Sequence, residues 1–408
     1  MKRLFPVLSA LAVLLAQPAS AQAPSPDRMR LNQRVFDRVW NEVRRTYYDP
    51  SLHGVDWEAA RDRYRSRAAA ANDDRALYRT LSAMLDLLDD DHAGVQPPAS
   101  VRRQEMLRQR RAVIGFTLAR EEGEIYRVEQ VRSGSPADEA GIGLGWRLRS
   151  VDGQDWGPDF DVVEGRPVTL NLIDEGGAER VAVVTPRVME PVPAFSADRS
   201  RPGVLVLRAE GFEAGLGRWV AEQLRDLPAE TDVVLDLRGN PGGRLMEVEA
   251  VLACFLPRGE DWAHRTGRSG RVMMLRTESD CGGRSAPAVN DLAVLVDVSS
   301  RSAAELTPAA LQQSRRAVVV GEKTAGAVLI SQDTSLPGGG RLSLSRADLI
   351  MRDGRRLEKN GMLPDEVVAR TAEDRRAGRD PQLEAAIRLL QDPLPRGEGG
   401  TRREAAGG

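Results

Sequence analysis

A chain of 408 residues exceeds what one hydrophobic core holds, so two or three domains are expected. Lys and Arg (58) nearly balance Asp and Glu (60), leaving a net charge of −2, and no basic block suited to phosphates occurs, which argues against a nucleic-acid partner. Lysine occurs only at positions 2, 323 and 359, so a lysine-dependent mechanism has few candidates.

Residues 1–21 read as a secretory signal peptide, with Lys2 and Arg3 before an apolar run from Leu4 to Leu15. Ala19-Ser20-Ala21 then forms a small-x-small cleavage site ahead of Gln22. The run is too short to span a bilayer and no later stretch is longer, although an uncleaved anchor is the other reading. Export to a bacterial periplasm is the expectation, with no membrane span after signal removal. Cys254 and Cys281 could pair there or stand as free buried thiols.

The first expected domain, 25–108, is a helical bundle. Leu31, Val35, Val39, Val43 and Tyr47 form an apolar stripe that Asp49-Pro50 ends. An Ala-rich helix near 56–71 follows. A third helix carries Leu77, Leu81, Met84, Leu85 and Leu88 and runs into Asp89-Asp90-Asp91-His92. Residues 97–111 are Arg-rich, a linker or a solvated helix.

From Val113 the apolar period changes to two, at Ile114, Phe116 and Leu118, then Tyr126, Val128 and Val131. S-G-S-P-A-D-E-A-G-I follows at 133–142, L-R-S-V-D-G ends at 153, and strands are expected at 167–173 and 180–184. This order over 112–190 resembles a PDZ domain of the bacterial protease type, a β-sandwich-like fold. The resemblance implies that Ile114, Gly115 and Phe116 bind a peptide's terminal carboxylate and add the peptide as an extra strand. A PDZ fold kept as a spacer or gate is the other reading.

Pro191 and Pro193 mark the next boundary, and 194–392 alternates strands and helices as an α/β core. Strands are expected at Val204 to Leu207, Val233 to Leu237, 292–296 and 317–320, with a short one near 341–345. Helices are expected at 213–227, 245–255, 303–313 and 380–391. The tail, 393–408, is Gly- and Arg-rich and expected to be disordered.

Four motifs occur in order: D-L-R-G-N-P-G-G at 236–243, S-R-S-A-A-E at 300–305, G-E-K-T-A-G at 321–326 and E-K-N-G-M-L-P-D at 358–365. With the helices and PDZ-like module ahead, the chain resembles the tail-specific, or C-terminal processing, serine peptidases and their tricorn-core-like relatives. The fold class so implied is multidomain α+β and α/β: an N-terminal helical bundle, a PDZ domain and a crotonase-like peptidase core.

By this resemblance Ser302 takes the nucleophile's place, with Ser299 and Ser300 as fallbacks. Read locally, Ser302 is equally a capping-box residue with Glu305 at N3. The resemblance gives the oxyanion hole to Gly242 or Gly243 with the amide of Ala303. The lysine of the family's Ser–Lys dyad would stand at position 327, which is alanine here. Lys323 occupies the family's other, non-basic lysine position and also reads as an ion-paired or surface lysine.

The tricorn-like branch instead takes a histidine from the end of its helical region, and D-D-D-H-A-G at 89–94 puts His92 there. Otherwise His92 reads as a cation capping a helix C-terminus. Glu358 matches the late glutamate that would orient the histidine. It also reads as a solvated charge paired with Lys359 or Arg356. Asp91 stands where the branch often has serine.

Three scattered histidines lack metal-ligand spacing, and G-G-G at 338–340 does not lead a strand into a helix, so no metal or cofactor is expected. The reading is an exported serine peptidase cleaving peptides or unfolded and C-terminal protein segments. Its rival is a catalytically inactive scaffold whose PDZ captures protein tails. Oligomeric state is open.

Overall fold

Apolar spacing and caps set the N-terminal helices. In this computed structural model Pro26–Thr46 buries Val35, Phe36, Val39, Trp40 and Val43, and Ser25 caps it by accepting the Arg28 N–H. Asp56 and Asp73 cap Trp57–Ala69 and Asp74–Leu85 in the same way. The structure describes residues 23–90, 92–106, 112–121, 125–132, 134–154, 162–190, 192–284, 286–371, 373–374 and 377–391. The expected signal at 1–21, Asp91 and the tail at 393–408 lie outside the described residues.

The helices do not close their own core. Leu329, Leu336, Leu342 and Leu344 join their hydrophobic cluster from far along the chain. At roughly 1.5–3 kcal/mol per fully buried Leu or Val side chain, these four residues are a substantial part of that cluster. Leu342 and Leu344 lie on, and Leu329 and Leu336 flank, strands of an antiparallel sheet centred on Arg341–Met351, which pairs with Gly94–Gln96, Asp261–Gly267 and Ile330–Ser335. Val272–Arg276 forms the far edge.

Sequence reading anticipates only 341–345 of this sheet. Ile330–Ser335 is largely polar, and Val272–Arg276 buries only Leu275, so neither shows a period-two signal. The Arg-rich stretch after 97 is helical at Pro98–Met106.

Residues 116–184 form a five-stranded antiparallel sheet over Val128, Leu148, Leu170 and Leu172. Phe116–Glu121 lies at one edge.

The remaining sheet runs, in order, Glu366–Val367, Val318–Gly321, Leu292–Val296, Asp232–Asp236, Val204–Ala209 and Phe195–Asp198. All neighbours are parallel except the last pair. Helices cover both faces, which explains the uninterrupted apolar run of Leu292–Val296. Leu216–Leu224, Leu245–Leu252 and Ala303–Gln313 share one face, and Pro381–Gln391 covers the other. Two turns therefore emerge side by side at the carboxyl ends of the two central strands: 237–244 and 297–302. In open α/β sheets this is the edge where ligands bind.

Candidate active site

Ser302 stands directly before the helix Ala303–Gln313 with φ 53° and ψ −117°. A non-glycine residue held at positive φ is strained, and the strain persists only where surroundings fix it. A sharp turn leading a serine into a helix exposes the hydroxyl and leaves the first helical N–H groups without intrahelical partners.

The surroundings that hold the turn are visible. The fully buried carboxylate of Glu305 accepts the Ser302 N–H at 3.0 Å and the Ala327 N–H at 2.9 Å. It also accepts the Gly326 N–H at 2.7 Å and the Thr324 hydroxyl at 2.5 Å. Glu305 thus reaches back as a capping glutamate does, and in addition clamps the 324–327 segment onto the serine turn. The Ser302 N–H also donates to the Ala327 carbonyl at 2.9 Å.

The 237–244 turn is laced to the same place. Asn240 accepts the Arg301 N–H on its carbonyl at 3.0 Å, and Asp297 accepts the Gly239 N–H at 2.9 Å. Gly242, at φ 95°, comes so close that a Cβ there would lie 2.7 Å from the Ser302 Cβ. The Gly242 N–H is already given to the Asn240 side chain at 2.8 Å. Gly243 bridges to Phe212 through the Gly242 carbonyl and the Arg244 N–H, a pattern that turns its own N–H away from Phe212.

The fallback serines have other tasks. Ser300 is fully buried and donates its hydroxyl to the Leu237 carbonyl at 2.8 Å. Ser299 is tied by its N–H to Asp297. Lys323 is exposed, whereas Ala327 is buried.

His92 lies beyond the end of the third helix, which stops at Leu85 and passes through the turn Asp86–Leu88 and a left-handed Asp89. It is therefore not a helix cap. Its side chain is 16 % exposed, and Nδ1 is buried without a hydrogen-bond partner. Two residues on, Gly94–Gln96 pairs with Arg341–Met351, and this pairing brings the histidine segment onto the core.

Glu358 is 2 % exposed, which removes the reading as a solvated charge. Lys359 pairs with Asp89 at 3.4 Å and Arg356 with Asp348 at 2.8 Å. One Glu358 oxygen accepts the Val328 and Leu329 N–H groups at 2.8 and 3.2 Å. The other, Oε1, is buried without a partner. Burial raises the Glu358 carboxyl above its ordinary range, while the Val328 N–H and the charge of a nearby His92 pull the other way.

Backbone bonds link the serine turn to Glu358: Ser302 bonds to Ala327, and the next two amides bond to Glu358, on whose carboxyl His92 acts electrostatically. Two buried residues that sequence reasoning did not single out for the site border this arrangement, Tyr47 and Asp90. The apolar stripe that ends at Tyr47 marks that residue as inward, but nothing local distinguishes which aspartate of the D-D-D-H run turns inward.

Two regions of the chain match known families. Residues 203–368 match peptidase family S41, and residues 32–86 match the tricorn protease C1 domain. The core of the chain, residues 203–368, belongs to peptidase family S41. A carboxyl-terminal-processing protease of Synechocystis sp. is 26 % identical over 405 residues, covering 95 % of this chain and 92 % of the relative. Tricorn protease homolog 1 of Streptomyces coelicolor is 27 % identical over 394 residues, 88 % of this chain but 35 % of that protein. The structure of a photosystem II D1 C-terminal processing protease superposes with a TM-score of 0.64 at 23 % identity, covering 88 % of this chain and 97 % of the other. The chain is thus a serine-type peptidase, a hydrolase, homologous to the carboxyl-terminal processing proteases.

In this S41 peptidase Phe116–Glu121 is an edge strand of its sheet among the described residues, while Ile114 is buried and its carbonyl accepts the Ala137 N–H at 2.9 Å. The Gly115 carbonyl accepts the Arg132 N–H at 2.8 Å. Cys254 and Cys281 are disulfide-bonded. A cavity of about 420 Å³ separates this sheet from the peptidase core, between Arg127 and Leu144 on one side and Arg208, Arg238, Asp297 and Ser299 on the other. Among the described residues no three or more His, Cys, Asp or Glu side chains are grouped to share a metal ion, and no helix is long and apolar enough to cross a membrane.

Proposed function

We propose that this S41 peptidase is an exported enzyme that cleaves peptides and unfolded or C-terminal protein segments, with Ser302 as nucleophile, His92 as base and Glu358 as orienter. The observation that carries the reading is the strained Ser302, bonded to Ala327 one residue before the amides that hold the buried Glu358. In this scheme His92 Nε2 takes the hydroxyl proton as Ser302 Oγ attacks the scissile carbonyl. The tetrahedral oxyanion is met by the N–H groups of Ala303 and Gly243, since the Gly242 N–H is committed to Asn240. The proton then passes from His92 to the leaving amine, and water hydrolyses the acyl-enzyme by the same exchange. Glu358 holds the imidazole in the required tautomer and offsets the imidazolium charge.

The 112–190 module acts as a PDZ domain in this reading. A substrate tail adds to the open edge at Phe116, with its carboxylate at the backbone of Ile114, Gly115 and Phe116. The names of the relatives as carboxyl-terminal processing proteases favour tails as substrates. Export rests on the leader pattern of residues 1–21, and mature protein beginning at Gln22 in a periplasmic fraction is the expected result.

The deciding experiment compares cleavage of an unfolded protein by the wild type, Ser302→Ala and His92→Ala. Loss of cleavage in both variants is expected, and equal rates in all three would sink the mechanism. An uncleaving wild type that still binds tail peptides would favour the inactive scaffold.

A further inference from the structure

We infer that Asp90 is a positioning residue for His92, a second buried carboxylate that shares the imidazole with Glu358. This deepens the reading of His92 as the base and rests on it. The Asp90 side chain is completely shielded from solvent, and its Oδ1 lies 3.8 Å from His92 Nδ1. The same Oδ1 accepts the His92 backbone N–H at 2.8 Å, which fixes the carboxylate beside the ring. Oδ2 has no hydrogen-bond partner, although it is buried.

Asp90 Oδ2 shares its neighbourhood with other buried polar atoms. His92 Nδ1 and Glu358 Oε1 lack hydrogen-bond partners, and Tyr47 Oη makes no close bond but is turned towards Asp90. Asp90 acts electrostatically on both Tyr47 and Glu358, and His92 on Glu358, so the groups lie within electrostatic range. Native structures leave few buried polar groups unpaired, and a cluster of them needs a reason. A proton-transfer site supplies one: the pairs close when His92 becomes imidazolium, and stand open in the resting enzyme.

The chemistry balances without any added reactant. Ser302 gives its proton to His92 Nε2, the Nδ1–H stays on the ring, and the imidazolium gains two carboxylate neighbours instead of one. In a dry site each neighbouring negative charge favours the cationic ring strongly. The Tyr47 hydroxyl faces Asp90 and can donate to it, keeping that carboxylate supplied while the ring is neutral. The other charged or titratable groups around this point include Tyr48, Asp49, Arg268 on the Tyr47 carbonyl, the Asp89–Lys359 pair and, beyond Tyr48, Asp348 with Arg356. His53 is engaged elsewhere, between the Tyr48 hydroxyl at 2.8 Å and the Leu88 carbonyl at 2.7 Å.

The test uses the full-length enzyme with Asp90→Asn and Asp90→Ser, both of which keep an acceptor for the His92 N–H and remove the charge. Expected is a fall in kcat of roughly tenfold or more with KM little changed, within the range of general-base contributions. The acid limb of the kcat/KM profile should move to lower pH, because an imidazolium with one fewer negative neighbour gives up its proton more readily. His92→Ala is run alongside and should be inactive. An inactive His92→Ala together with Asp90 variants of unchanged kcat and unmoved acid limb would overturn the proposal alone. A lower kcat with a lower melting temperature but an unmoved limb would show a purely structural role and also overturn it. An active His92→Ala would remove the base reading, and the Asp90 role with it.

Discussion

Ser302 donates its backbone N–H to the carbonyl of Ala327 at 2.9 Å. The position where C-terminal processing relatives are expected to carry a lysine base thus lies against the serine and is occupied by a methyl group. In the proposed mechanism the serine's proton therefore goes to a group from another part of the fold. His92 is the candidate that the pairing of Gly94–Gln96 with the central antiparallel sheet delivers.

Replacing Glu358 by Gln should separate activity from stability. Burial raises the folded-state pKa of Glu358, so folding favours its protonated form. That contribution is complete below the unfolded carboxyl pKa and is lost as pH rises through the raised folded value. At neutral pH the ionised carboxylate therefore costs stability, and Glu358→Gln should melt at a higher temperature there, with the difference shrinking in acid. A glutamine oxygen can still accept the Val328 and Leu329 N–H groups, but the carboxylate facing His92 is gone. A wrong tautomer or an unsupported imidazolium should lower kcat by about 10³- to 10⁴-fold, as for the corresponding triad change. Thermal melts from pH 4 to 8 and single-substrate kinetics check both halves.

Gly242→Ala should damage catalysis more than folding. The added methyl would lie 2.7 Å from the Ser302 Cβ, 2.8 Å from the Arg301 carbonyl and 3.0 Å from the Ala303 nitrogen. Relief requires moving the serine or the neighbouring oxyanion donor. A loss of about 10²- to 10³-fold in kcat, the scale of one misplaced oxyanion donor, is expected with little change in KM. Wild-type kcat in a folded Gly242→Ala variant would contradict the placement of the oxyanion hole.

The division between what sequence did and did not disclose follows the range of the interactions. Leu292–Val296 is buried on both faces, so its apolar run alone marks a central strand. At Ser302 a strand, a small-residue turn and a glutamate three residues on are all local, and they read as a helix cap. The roles of Ser302, His92 and Glu358 come from family resemblance, since His92 and Glu358 stand far from the serine in sequence. Asp90 carries no local mark: Asp89 is solvent-facing and bound to Lys359, and the left-handed turn at Asp89 sends the next carboxylate inward, whereas Tyr47 shows only the apolar stripe of the first helix. The sheet strands at 261–276 and 330–335 were missed because partners, and not their own periodicity, make them strands.

Glu305→Ala should loosen the serine turn as a unit. The carboxylate satisfies four donors, on Ser302, Thr324, Gly326 and Ala327, in a fully buried place. Removing it leaves buried N–H groups unpaired, at about 1–3 kcal/mol each before relaxation. A destabilisation of about 3–5 kcal/mol in urea unfolding is expected, together with a fall in kcat. Glu305→Gln retains one accepting oxygen and should lie between the alanine variant and wild type in both measurements.

The disulfide contributes through the unfolded chain. Cys254 and Cys281 are 27 residues apart, and closing a loop of that size removes about 3.5 kcal/mol of denatured-state entropy at 25 °C. The Cys254→Ala/Cys281→Ala double variant should unfold at correspondingly lower denaturant concentration. Its kcat under native conditions should remain near wild type, because neither sulfur approaches the serine turn through the contacts that hold Ser302.

Arg238→Met should invert the enzyme's response to acid. Arg238 is buried between two carboxylates, donating to Asp236 at 2.7 and 2.8 Å and to Asp380 at 2.8 and 2.9 Å. Burial alone would raise both acids, but the guanidinium outweighs it and holds Asp236 and Asp380 below their ordinary range. Groups with depressed folded pKa values stabilise fully above their unfolded pKa, and that contribution disappears as pH falls through the folded values. The wild type should therefore lose stability in acid. Without Arg238, Asp236 keeps Arg208 at 3.2 Å and Asp380 keeps Arg370 at 3.5 Å, so neither is stranded, but both lose their closest cation. A cost of about 3–5 kcal/mol at pH 7 is expected, on the scale of breaking a buried ion pair from one side. Since burial then dominates, protonation relieves the variant, and its deficit relative to wild type should narrow as pH is lowered from 7 towards 4. Denaturant unfolding of both proteins across that range measures the difference, and a deficit that widened in acid would show that Arg238 is not what holds these two carboxylates ionised.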